Sequence, residues 1–132
     1  NRNIIDSLST SITNNYLAIC HAAYSIASDL DLKIIVVLTD SGKTAIQMAQ
    51  FRPNATIVAF TPHQETCNLL SIIWGVVPIY TKQPQNINGL YSLVNKILIK
   101  KKLIQPGKCF LIISGILKIK NSTNMLQIYQ SK

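Results

Sequence analysis

The chain has 132 residues, 48% of them hydrophobic and 14% charged, and carries a net charge of +8. So apolar and weakly charged a composition excludes an intrinsically disordered chain, and the length suits one domain, 1–132, with a core of its own. A membrane span is not expected either: Ser, Thr, Asn and His interrupt residues 7–28, and Asn68, Gly75 and Pro78 interrupt residues 66–81, where a spanning helix needs ~20 predominantly apolar residues.

The chain opens on Asn1 and shows no signal-peptide pattern, so a fragment or processed product is expected. Ile12, Tyr16, Ile19, Ala23, Ile26 and Leu30 recur at helical steps and predict a long amphipathic helix over 12–30. Ser9, Thr10 and Ser11 offer N-caps for it, and Ala22 and Ala23 would let another backbone approach closely. Ile34–Leu38 is a continuous apolar run of the kind found in strands buried on both faces. A Thr39-Asp40-Ser41-Gly42 turn follows, then a helix over 43–51 that stops before Pro53.

Residues 56–60 predict a second strand. Thr61-Pro62 is expected to start the next helix, with His63 in its first turn and Glu65 near its positive end. Residues 75–79 predict a third strand, and 81–88 a polar loop around Pro84. Leu90, Leu93, Val94, Ile97 and Leu98 mark a helix over 90–103, whose end carries Lys100, Lys101 and Lys102. After the Pro106-Gly107 turn, residues 109–113 predict a fourth buried strand. A loop over 115–124 leads to an edge strand at 125–129.

Strands separated by helical stretches imply βαβ crossovers. The expected fold is α/β: a three-layer α/β/α arrangement with a mostly parallel, about five-stranded sheet whose last strand lies antiparallel at an edge. Ligands bind beyond the carboxyl ends of such strands. Two loops fall there, residues 39–44 and 114–124.

Ser41-Gly42-Lys43-Thr44 resembles the tail of a P-loop, but Val37 stands where that motif needs its first glycine, and the Walker reading fails. A milder reading survives. The amides of a helix's first turn and its dipole favour an anion, while Thr39, Ser41 and Thr44 add hydroxyls and Lys43 adds charge. The alternative is a well-capped helix with a solvated lysine, and Asp40 counts against a highly charged ligand. The second loop supplies Gly115, Lys118, Lys120, Asn121, Ser122 and Thr123, and could close over the first. Its alternative is a surface hairpin.

No catalytic residues are expected. The acids Asp6, Asp29, Asp31, Asp40 and Glu65 are dispersed, His21 and His63 lie apart, and no metal-ligand spacing occurs. Cys20, Cys67 and Cys109 form neither a zinc motif nor a disulfide frame, and read as buried free thiols in a reducing compartment. The lysines are spread along the chain without a nucleic-acid motif, and abundant Asn, Ile and Lys suit an AT-rich genome. Neither nucleic acid nor membrane is expected as a partner.

Six segments in register then resemble one family. Residues 34–45 (IIVVLTDSGKTA), Phe51-Arg52-Pro53, residues 57–66 (IVAFTPHQET), Trp74-Gly75-Val76-Val77-Pro78, residues 107–115 and Ser122-Thr123-Asn124 resemble, in order, the C-terminal domain of the pyruvate kinases. The first helix stands where that family has an Ala-rich helix. Three departures stand out. Asn121 replaces a glycine, Gly107-Lys108 replaces Gly-Asp, and Asp40 is acidic where some members have a neutral or basic residue.

The resemblance implies a glycolytic parent enzyme that transfers phosphate from phosphoenolpyruvate to ADP with Mg²⁺ and K⁺, on a barrel absent from this chain. It implies for this chain an allosteric sugar-phosphate effector at Thr39, Ser41, Gly42, Lys43 and Thr44 and at the closing loop from Gly115 to Thr123. It also implies docking onto the barrel of the same protein, and tetramer contacts through the first helix and last strand. The fragment alone would be inert and without cofactors. The compartment would be intracellular, cytoplasmic or an organellar (plastid or mitochondrial) matrix. The competing readings are a stand-alone sugar-phosphate-binding module and a basic nucleic-acid-binding domain.

Overall fold

A computed structural model describes residues 13–82, 87–114 and 125–132. The elements are α1 (Thr13–Asp29), β1 (Ile34–Leu38), α2 (Lys43–Gln50), β2 (Thr56–Thr61), α3 (Gln64–Leu70), β3 (Val76–Tyr80), α4 (Ile87–Lys100), β4 (Cys109–Ser114) and β5 (Met125–Gln130). The sheet order is β3-β2-β1-β4-β5. The first four strands are parallel, and β5 pairs antiparallel with β4 at the edge. This is the expected architecture.

Two cores explain it. All five residues of β1 are buried, and strand alternation sends neighbours to opposite faces. Ile35 and Val37 join Cys20, Ala23 and Ala27 of α1, Ala45 and Met48 of α2, and Leu70 of α3. Ile34, Val36 and Leu38 join Leu90, Val94 and Leu98 of α4. Three helices therefore cover one face and α4 the other. The small side chains of Cys20, Ala23 and Ala27 let α1 lie close on the sheet. Ala23 keeps its expected inward place with Ile19 and Ile26 packed beside it, whereas Leu30 falls past the end of α1 and is 54% exposed.

Three expectations need correction. Thr61 ends β2, where it pairs with Tyr80, instead of opening a helix. Pro62 disfavours helical geometry at the residue before it, and α3 starts only at Gln64, with His63 as an extended N-cap. Cys109 is only half-buried, whereas Cys20 and Cys67 are buried. Burial pushes the Cys20 thiol up to about 11 and raises Cys67 as well. The proposed N-caps of the first helix, and the loop over 115–124, lie outside the described residues.

Helices α1 and α4 end alike. Leu32 N–H donates to Ala27 O at 2.9 Å and Asp31 N–H to Ser28 O at 3.3 Å; Leu103 donates to Leu98 at 2.9 Å and Lys102 to Ile99 at 3.0 Å. These are Schellman endings, which put one residue in the left-handed region, usually glycine. Here that residue is Asp31 (φ 52°) or Lys102 (φ 60°). A side chain is strained there. Lys102→Gly is expected to raise the unfolding free energy by about 0.5–1 kcal/mol, read as a higher urea midpoint. A lower midpoint would count against the strain.

Candidate functional site

The strand order reverses between β1 and β4. The chain steps from β1 outward to β3, then returns across the opposite face to place β4 on the other side of β1. Crevices outside the carboxyl ends of parallel strands collect ligands at such a point. The 39–44 turn leaves β1 there. β4 ends beside it at Ser114, since Val37 pairs with Ile113.

The turn is held from inside. Thr39 is buried, and its N–H donates to Phe60 O at 3.0 Å, carrying the ladder one residue past β1. Thr39 Oγ1 accepts from Gly42 N–H at 2.9 Å. Asp40 O accepts from Thr66 Oγ1 at 2.7 Å and from Thr61 Oγ1 at 3.3 Å. The turn is thus bolted to β2 and α3. Gly42, the N-cap of α2, has φ 89°. A Cβ there would meet Leu70 Cδ2 at 3.2 Å and Thr66 Cγ2 at 3.3 Å, so both backbone and space favour glycine.

This geometry divides the predicted residues. Ser41 and Lys43 are exposed, while Thr39, Gly42 and Thr44 are buried. Ser41 Oγ accepts from Lys43 N–H at 3.4 Å. A phosphate arriving from solvent would meet Ser41 and Lys43, and could replace that long contact with a charge-assisted one. Thr39 shapes the turn, its hydroxyl already occupied by the Gly42 amide. Gly115, Lys118, Lys120, Asn121, Ser122 and Thr123 lie outside the described residues. The last described residue before them, Ser114, is 2% exposed, and its Oγ has no hydrogen-bond partner among the described residues.

Sequence reasoning missed two features. Thr61 and Thr66 brace the turn; their place in the T-P-x-x-x-T segment was the available signal. His63 Nε2 also stands 3.5 Å from Asp40 Oδ1, both groups partly exposed. A protonated His63 would offset the carboxylate that opposes an anion here, weakly, as exposed pairs do. Among the described residues, no group of three or more His, Cys, Asp or Glu side chains could hold a metal ion, and no helix is long and apolar enough to cross a membrane.

Thr66→Val keeps the shape of this side chain but removes its donor to Asp40 O. It is expected to lower stability by about 1–2 kcal/mol. Gly42→Ala should lower it by at least about 1 kcal/mol through backbone strain. Denaturant midpoints equal to wild type in both variants would mean that the turn is not fixed by these contacts.

Comparison with known proteins agrees with the fold. A family model described as pyruvate kinase, alpha/beta domain, matches residues 17–129. A pyruvate kinase of Methylorubrum extorquens is 35% identical over 112 residues, covering 84% of this chain and 23% of that protein. One from Lactococcus lactis is 33% identical over 102 residues, covering 77% of this chain and 20% of that protein. Among solved structures, a pyruvate kinase from Cryptosporidium parvum superposes with a TM-score of 0.76 at 24% identity, over 89% of this chain and 23% of that one. The chain therefore spans about a fifth to a quarter of the length of these relatives.

Proposed function

Because the chain belongs to the pyruvate kinase alpha/beta domain family, we propose that it is the effector-binding and assembly domain of a larger pyruvate kinase. In that protein a separate barrel would transfer phosphate from phosphoenolpyruvate to ADP, with Mg²⁺ and K⁺ held on the barrel. This domain supplies no catalytic group. It acts in an intracellular compartment, cytoplasmic or an organellar matrix, as part of a homotetramer.

The observation that carries the effector reading is the braced glycine turn at the point where the strand order reverses. Lys43 provides the charge and Ser41 the hydroxyl for one phosphate of a sugar phosphate. The 115–123 loop, with Lys118 and Lys120, provides the second contact. An effector bound between them regulates the enzyme only if it binds one quaternary state better than another. The partner surfaces lie elsewhere. α1 and the outer edge of β5 serve the contact between subunits. The exposed patch of Leu69, Ile72 and Trp74, with the Arg52 guanidinium 5.9 Å over the Trp74 ring, serves the barrel.

Thermal-shift titration with fructose 1,6-bisphosphate, with sulfate as the ionic control, tests the effector site. At ~100 times its dissociation constant a ligand stabilises by ~2.7 kcal/mol. The expected result is a shift well beyond that of sulfate, reduced in Lys43→Ala while the unliganded melting temperature stays put. No shift beyond sulfate, or an unchanged shift in Lys43→Ala, would sink the turn as a phosphate site.

A further inference from the structure

At the opposite end of the sheet a second concavity opens. It is a cleft of about 740 Å³ at the amino ends of β1 and β4, where the C-termini of α1 and α4 converge. Its aliphatic lining is Leu30, Leu32, Ile34, Leu103, Ile104 and Ile128. Leu32 packs on the α1-side core, and Leu103 and Ile104 on the α4-side core, so the cleft sits where the two cores meet. Leu30 is 54% and Ile128 48% exposed. The volume lies within the ~300–1,000 Å³ of small-molecule sites.

We propose that this cleft binds an aliphatic monocarboxylate, such as a medium-chain fatty acid. The apolar side chains lining it are all Leu or Ile, which suits a flexible hydrocarbon chain better than a stacked ring. The charge balance selects the head group. Three lysines, Lys33, Lys102 and Lys108, face one aspartate, Asp31, which pairs with Lys33 at 2.9 Å. Two helix C-termini add about half a negative charge each, and their Schellman bonds have already engaged the Ala27, Ser28, Leu98 and Ile99 carbonyls. The balance is about one positive charge, enough for one carboxylate and too little for a bisphosphate. The five residues of β1 span about 17 Å, so the cleft stands apart from the 39–44 turn, and the two sites can fail separately.

Cys109 lines the cleft and is half-buried, whereas Cys20 and Cys67 are buried. Its alkylation by iodoacetamide therefore reports occupancy. The experiment titrates the 132-residue chain with decanoate below its micelle-forming concentration, beside decanol and acetate. Decanoate is expected to slow Cys109 alkylation. Acetate should leave it unchanged, and decanol should bind about threefold or more weakly for want of the charge. Lys108→Glu should weaken decanoate binding by about fivefold with the circular dichroism spectrum retained. Trp74→Ser, on the patch outside the cleft, should leave the protection unchanged. No protection by decanoate, equal protection by decanol, or loss of protection in Trp74→Ser would overturn the proposal. So would protection that grows with protein concentration without ligand, since that would assign the cleft to a second copy of the chain.

Discussion

The central strand has to be apolar on both faces, and the rest of the structure answers to that demand. β1 is buried at every position because helices cover the sheet on each side. Thr39, the first polar side chain after it, is still buried, so its hydroxyl needs an internal partner. The Gly42 amide supplies one. Thr61 and Thr66, buried beside it, find theirs in the Asp40 carbonyl. The turn that could receive an anion is thus shaped first by the need to satisfy groups leaving the core. Ser41 and Lys43 form its exposed rim.

Most of the fold was legible because buried strands write continuous apolar runs. Ile34–Leu38 and the run from Cys109 are examples, with their neighbours fixed by the helices between. Boundaries were harder. Pro62 suggested the first turn of a helix, yet the ladder with Tyr80 held Thr61 in the strand. Helix periodicity marks large residues, so the α1 stripe was legible at Ile19, Ala23 and Ile26, which face the core. The small Cys20 and Ala27, which lie deepest with Ala23, carry no such mark. Spacing located the turn but could not say which hydroxyls face inward. Nor could it bring His63 beside Asp40, since their proximity comes from the pairing of β1 with β2.

The two ends of the sheet carry opposite chemistry. At the carboxyl ends the backbone is tight, braced and polar, and it suits recognition of a small anion by a few fixed groups. At the amino ends two helices stop short and leave aliphatic side chains uncovered between lysines.

The pairing of β1 with β4 also bears on how the domain forms. Ile35 meets Leu111 across most of the chain's length, whereas β1–β2 and β2–β3 join nearer neighbours. Contacts between distant segments are slow to form, because loop closure has to precede their reward. The β1–β2–β3 half can therefore assemble while β4 is still outside. The space beyond the carboxyl ends of β1 and β4 is then a late product of folding. Transient loss of the β1–β4 ladder would dissolve it without unfolding the other half, which gives this site a lower local stability than the core it rests on.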